Sequence, residues 1–401
     1  MSASPADLAE FRKEVVAWLA VNTPQADFLL PQSFLEVGDD RQCDFLRAWQ
    51  RKVYEAGYLG MAWPAEYGGR GMPQAYQDVV TQEMVRLRTP FMMNTIGLQW
   101  AGPLILHFGS HEVKSRYIKR ILSAEDIWCQ GFSEPNHGSD LASVETRAER
   151  SGNEYVINGS KIWTTLGPYA DYMILLARTD RNAESRYAGL SFFLSPMKVE
   201  GVAPRPIRKM SGEFGFSQIM FNDARIPATC LLGEEGQGWQ LAMQTLSFER
   251  GAQGGQAGGP SATNFSQPDD LIALAKRVEK DGKPASDDPL VRDQLMRFLI
   301  DETGLQLNAR RQRIPALVAE RPQAIPLMNK LVASELRQAI GRFTASLMGP
   351  DTALYVGDAN AVDGGRWLRS YFNSFSSTIG GGTSEIQRNI VGERVLGLPK
   401  S

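Results

Sequence analysis

The chain has 401 residues, enough for a large buried core and two or three domains, and 43% of them are hydrophobic against 22% charged. Its net charge of −2, from 43 basic and 45 acidic residues, leaves no basic stripe for nucleic acid. Cysteines are few and scattered (Cys43, Cys129, Cys230), His107, His111 and His137 lack zinc-site spacing, and no apolar run approaches the roughly 20 residues of a membrane span. Residues Met1 to Ala9 have neither the basic start nor the apolar core of a signal peptide, so a cytoplasmic location without membrane association is the expectation.

From about residue 4 to 126 helical periodicity dominates. Leu8, Phe11, Val15, Trp18 and Leu19 share one face of a first helix, and Leu46, Trp49 and Val53 mark another. Trp63 to Gly71 is a Pro/Gly break between helices. Short strands follow. Tyr155-Val156-Ile157, Asn158-Gly159 and Lys161-Ile162-Trp163 read as a hairpin with a primed turn, and Tyr172–Ala177 and Leu190–Leu194 as further strands. Helical periodicity returns from about 236: Val291, Leu295, Phe298 and Leu299 mark one helix, and Leu327, Leu331, Leu336, Ile340, Phe343 and Leu347 a long one. Between these stretches, residues 251–268 carry five glycines and two prolines, a loop composition.

Three segments carry candidate chemistry. Residues 130–140, Gln-Gly-Phe-Ser-Glu-Pro-Asn-His-Gly-Ser-Asp, form a polar turn rich in hydroxyls and backbone donors, equally an ordinary loop when taken alone. Residues 158–165, Asn-Gly-Ser-Lys-Ile-Trp-Thr-Thr, place an indole beside hydroxyls, although a lone tryptophan is more often core. Residues 380–396 open with three glycines, then a Thr-Ser pair suited to starting a helix, with Ile386, Ile390 and Leu396 on its apolar face.

In this order, the three segments resemble the signatures of the flavin-dependent acyl-CoA dehydrogenases, and the resemblance extends over nearly the whole chain, to Leu398. It implies an α+β, mostly α fold: an N-terminal helical domain (1–126), a middle β-barrel-like domain (127–235) and a C-terminal four-helix bundle (236–401). It implies FAD as cofactor, with contacts from Phe132, Ser133, Trp163, Thr165, Gln294, Thr383 and Glu385, and coenzyme A contacts from Ser139 and Arg250. The implied reaction is α,β-dehydrogenation of an acyl-CoA thioester, with electron-transferring flavoprotein as reoxidant. The implied assembly is a homo-oligomer or a heterotetramer with a homologous subunit. No metal enters.

Many family members place the catalytic glutamate just before the C-terminal Gly-Thr, where this chain has Gly381. A minority, similar to isovaleryl-CoA and long-chain dehydrogenases, carries Leu-x-x-Glu-Arg on the helix after the β-domain. Leu246-Ser247-Phe248-Glu249-Arg250 matches that pattern and assigns the base to Glu249, although a Glu-Arg pair at a helix end is by itself a common surface feature. Gly381 then offers its backbone N–H to the thioester carbonyl, and the missing side chains leave room for a bulky or branched acyl group. Two family motifs are absent: Lys276 to Pro284 lacks Arg-x-x-Phe-Gly, and Met348-Gly349-Pro350 stands in place of Gly-Gly-x-Gly. These departures keep two other readings open: a catalytically silent subunit of a heteromeric dehydrogenase, and a flavin oxidase of the same fold with a non-CoA substrate.

Overall fold

A computed structural model describes residues 4–249, 268–312, 314–318 and 324–399. The chain divides into two compact units, essentially residues 1–249 and 264–401, and each is described by itself.

The first unit begins with helices α1 (Pro5–Asn22), α2 (Asp40–Glu55), α3 (Gln74–Arg86), α4 (Gly102–Phe108) and α5 (His111–Leu122), with a π-helical turn, Gly97–Ala101, leading into α4. Their starts follow the sequence: Ser4 and Asp7 form a capping box on α1, Asp39 caps α2 and Ser110 caps α5. Val15, Leu19, Trp49 and Val53 are buried in one core. Asn94 ties these helices to the sheet, donating to the Ile121 and Asp126 carbonyls and accepting from Trp128 N–H at 2.9–3.0 Å.

Eight strands follow: β1 (Trp128–Gly131), β2 (Arg147–Ser151), β3 (Glu154–Thr165), β4 (Tyr172–Arg178), β5 (Leu190–Pro196), β6 (Val202–Ile207), β7 (Phe216–Pro227) and β8 (Leu231–Leu232). Their order is β6-β7-β3-β2-β4-β5-β8, with β1 parallel to β4. Since β2 and β4 share only the pair Arg147↔Arg178, two half-sheets meet at a narrow seam. Ala148, Tyr155, Ile157, Ile219 and Phe221 of one half share a core with Met173, Leu175 and Phe193 of the other, which gives the barrel-like form. Ile174, Leu176, Phe192 and Leu194 alternate to the opposite face and join the helical core. Burial on both faces explains why β4 reads as an unbroken apolar run. Helix α6 (Gly238–Glu249) packs on β4, β5 and α4 through Leu241, Ala242 and Phe248.

The expected hairpin at Asn158–Gly159 is corrected. Strand β3 runs straight through those residues, and the turn lies earlier, at Gly152–Asn153, where Gly152 (φ +64°) takes the first central position that type II′ reserves for glycine. Asn158 instead faces a bulge in β7: its side chain exchanges two 2.9 Å hydrogen bonds with Asp223, which sits at φ +51°. Gly159 (φ +138°) is required because a Cβ there would come within 2.8 Å of the Thr146 backbone.

The second unit is a helical bundle of α7 (Pro268–Arg277), α8 (Pro289–Arg311), α9 (Pro315–Val318), α10 (Ala324–Met348), α11 (Arg366–Ser377) and α12 (Ser384–Ile390). Helix α10 packs against α8, α11 and α12. The core collects Leu271 and Leu274 with Val291, Leu295, Phe298, Ile340, Met348 and Trp367. Gly341 lets Tyr371 approach closely, since a Cβ would stand 2.5 Å from its ring.

Arg277 grips Asp363 bidentately (2.9 and 2.8 Å), and Trp367 Nε1 donates to the same carboxylate at 2.7 Å, so α7 is pinned to the start of α11. The Arg277 hydrogen bonds above all hold the Asp363 carboxyl down at about 2. A depressed carboxyl contributes stability above its unfolded value of 3.8 and loses it as pH falls toward 2. Arg277→Leu should therefore cost about 1 kcal/mol at neutral pH, as for a partly exposed pair, with a smaller difference from the parent below pH 3. Urea midpoints at both pH values check this.

Candidate functional site

In the first unit, β1 delivers the polar turn beside β3. The Ser133 carbonyl accepts from Ile162 N–H at 2.8 Å, which brings Phe132 and Ser133 alongside Trp163 and Thr165. Phe132 is buried, edge-on to Phe192, and Ser133 is half-buried.

Trp163 is not core. It sits at φ +60°, in the register break between Lys161 and Thr164, and is 58% exposed, with the edge of Phe216 at 6.0 Å. Left-handed backbone at a bulky residue is a strained state that clusters at functional sites. Next to it, Thr165 is buried, and the Thr164 hydroxyl has no hydrogen-bond partner among the described residues. An exposed indole flanked by an unsatisfied hydroxyl suits an aromatic, hydrogen-bonding ring system.

Beneath this segment lies a pair that sequence reasoning missed. Lys161 is fully buried and donates to Glu134 Oε1 (2.8 Å) and to the Phe132 carbonyl (3.0 Å). Glu134 also accepts from the N–H groups of Glu145 (2.7 Å) and Thr146 (2.8 Å). Burial pushes the Lys161 ammonium down to about 8 while Glu134 holds it up; for Glu134, burial acts upward but Lys161 and the backbone donors outweigh it, leaving the carboxyl below its usual range. The available signal was phase: Lys161 falls on the same side of β3 as Tyr155 and Ile157, both inward-facing.

Glu249 is the half-buried last residue of α6, directly after buried Phe248. Ser139 is exposed in the polar turn, and the neighbouring Asp140 pairs with Arg186. Arg250 and most of the expected glycine-rich loop lie outside the described residues.

In the second unit, Thr383 caps α12, its hydroxyl accepting from Ile386 N–H at 3.2 Å. Gly381 (φ +67°) and Gly382 (φ +92°) form the turn before it, in backbone that side chains rarely adopt. A cleft of about 510 Å³ is lined by Gln338, Arg342, Thr378, Thr383, Ser384 and Glu385, among others. The Ser384 hydroxyl is buried without a partner among the described residues, and the Glu385 carboxyl is held below its usual range by the backbone donor at the helix start and by Thr383. Gln294 stands half-buried on α8 and does not line this cleft. Arg342, Gln338 and Lys330 are further residues of this region that no sequence motif marked, and Gln387 lies within the 380–396 segment without having been given a role.

No described helix is long and apolar enough to cross a membrane, and no cluster of three or more metal-ligating side chains occurs among the described residues. Family models match in three consecutive blocks: acyl-CoA dehydrogenase N-terminal domain at 32–125, middle domain at 129–224 and C-terminal domain at 236–396. The acyl-CoA dehydrogenase IpdE1 of Mycolicibacterium smegmatis is 36% identical over 406 residues, covering 98% of each chain. Among solved structures, the Tcur3481-Tcur3483 steroid ACAD has a TM-score of 0.81 at 29% identity over 100% of both chains. The ChsE4-ChsE5 complex of Mycobacterium tuberculosis has a TM-score of 0.78 at 26% identity, again over 100% of both. The chain belongs to the acyl-CoA dehydrogenase family and is a flavoprotein oxidoreductase that uses FAD.

Proposed function

We propose that this protein introduces a double bond between Cα and Cβ of a bulky or branched acyl-CoA thioester, with Glu249 as the base. The observation that carries the reading is the exchange of side chains: Gly381 stands where many relatives keep a glutamate, while Glu249 ends α6 in a Leu-x-x-Glu-Arg context. Trp163, Thr165, Phe132 and Ser133 would hold the flavin ring, and Thr383, Glu385 and Gln294 the remainder of FAD. The unsatisfied hydroxyls of Thr164 and Ser384 and the exposed indole fit such a group. Bound FAD supplies the acceptor for the Cβ hydride. Glu249 takes the Cα proton, the Gly381 N–H polarises the thioester carbonyl, and Ser139 and Arg250 hold the coenzyme A arm.

We assign the domains as 1–126, 127–235 and 236–401, the location as cytoplasmic, and the reoxidant as an electron-transferring flavoprotein. A steroid-derived substrate is supported by the likeness to the Tcur3481-Tcur3483 steroid ACAD. That likeness, the two-chain ChsE4-ChsE5 relative and the two missing family motifs favour assembly with a homologous subunit over a homo-oligomer.

An acyl-CoA panel with an artificial electron acceptor, run with flavin content measured, tests the reading. Polycyclic or branched thioesters should exceed short straight-chain ones by tenfold or more in kcat/KM, on the order of what a few pocket methylenes discriminate. Preference for short straight chains would refute the substrate assignment. Colourless protein that turns over nothing would establish the silent-subunit reading instead.

A further inference from the structure

Three successive glycines leave the turn at 380–382 without side chains to hold it, and glycine has the most backbone freedom to lose. The fold holds this turn by its peptide groups. Gly380 N–H donates to the Ser376 carbonyl (2.8 Å), the Gln387 amide donates to the Gly381 carbonyl (2.7 Å), and the Lys330 ammonium donates to the Gly382 carbonyl (2.5 Å). Lys330 comes from α10, more than fifty residues earlier, and Gln387 is fully buried in α12.

A trans peptide is planar, with C=O and N–H on opposite edges. A clamp on a carbonyl therefore aims the next residue's N–H the other way. Gln387 aims Gly382 N–H, and Lys330 aims Thr383 N–H. The peptide that carries Gly381 N–H lies between two pinned neighbours: Gly380 N–H on one side, Gly381 C=O on the other. Among the described residues, the N–H groups of Gly381, Gly382 and Thr383 donate to no backbone acceptor. Successive backbone donors left over in a turn are available to a negative or polarised oxygen.

We propose that Lys330 and Gln387 are positioning residues that hold this row of donors in place for the thioester carbonyl oxygen. The proposal rests on the reading of Gly381 as that oxygen's backbone donor. With no side chains of its own, the turn is held by two hydrogen-bonding side chains that reach it from α10 and α12. Without them the glycine peptides are free to rotate, and the donors are no longer fixed.

The test uses FAD-loaded protein and cyclohex-1-ene-1-carbonyl-CoA labelled with ¹³C at its thioester carbonyl, followed by infrared difference spectroscopy. In the parent protein the bound carbonyl stretch should fall below its value in water. Lys330→Met should lose at least half of that fall. It should also slow turnover of the matching saturated thioester about tenfold with little change in KM, less than the loss of a donor outright. Lys330→Arg, which keeps a cationic donor, should recover most of both. Should Lys330→Met fail to retain FAD, Gln387→Met carries the same comparison. A merely structural tie would lower the denaturation midpoint and leave the band alone, so a full shift in Lys330→Met overturns the proposal by itself. A parent protein that binds the probe with no shift, or does not bind it, overturns the carbonyl reading of Gly381 and this proposal with it.

Discussion

Glu249→Gln should leave the flavin content of the purified protein unchanged and slow flavin reduction by its best acyl-CoA by about 10²–10⁴-fold, the usual worth of a general base. Glutamine keeps the size and hydrogen-bonding reach of the side chain but cannot accept the Cα proton. The substitution is local because α6 is anchored elsewhere: Leu241, Ala242 and Phe248 are buried, and the Thr245 hydroxyl bonds the Leu241 carbonyl at 2.8 Å. Stopped-flow measurement of flavin bleaching isolates the chemical step from reoxidation, so the loss should appear in that rate, with substrate affinity nearly constant. Glu385→Gln serves as the control. Glu385 is exposed at the start of α12, and its loss should weaken flavin retention more than the bleaching rate. A Glu249→Gln protein that bleaches within about threefold of the parent would place the base elsewhere, since a general base contributes far more than that.

What the sequence made legible was set by range. The α1, α8 and α10 patterns and the apolar run of β4 depend on neighbours a few residues away, and each became an element with those residues inside. The Asn158–Gly159 misreading has a physical cause. Asn-Gly is a strong turn signal only where no third strand competes, and here β7 supplies one, with Asp223 taking up the asparagine's hydrogen bonds. Trp163 taken alone reads as core, and only the resemblance set it apart, because its exposure depends on a backbone twist at φ +60° that no local pattern announces. Lys161 and Lys330 were less visible still. A lysine reads as surface by default, and its structural role appears only once a partner 27 residues away (Glu134, for buried Lys161) or 52 residues away (Gly382, for half-buried Lys330) has been brought to it.

Lys161→Met should destabilise the protein by about 3–5 kcal/mol, the cost of leaving one member of a buried ion pair without its partner. Methionine fills the lysine's volume, so little of the loss comes from a cavity. Removing the ammonium deprives Glu134 of its counter-charge and the Phe132 carbonyl of a donor, leaving the carboxylate with the N–H groups of Glu145 and Thr146 alone. The carboxyl of Glu134, now below its ordinary range, should move up through it. In the parent, a depressed Glu134 contributes stability above its unfolded value of 4.5 and loses it as pH falls through the folded one; in the variant the sign inverts, the stranded carboxylate destabilising at neutral pH and part of the lost stability returning as pH falls and it protonates. Urea unfolding at neutral pH gives the first number, and the pH dependence of the midpoint gives the second. Adding Glu134→Gln to Lys161→Met removes the stranded charge and should restore at least half of the lost stability, because desolvation of the unpaired carboxylate is the main cost. A single variant within about 1 kcal/mol of the parent would mean that the backbone donors alone suffice for Glu134. The Phe132 carbonyl, in the turn that we propose holds the flavin ring, is bonded by the same lysine, so loss of FAD should accompany the loss of stability in Lys161→Met and be reversed with it in the double variant.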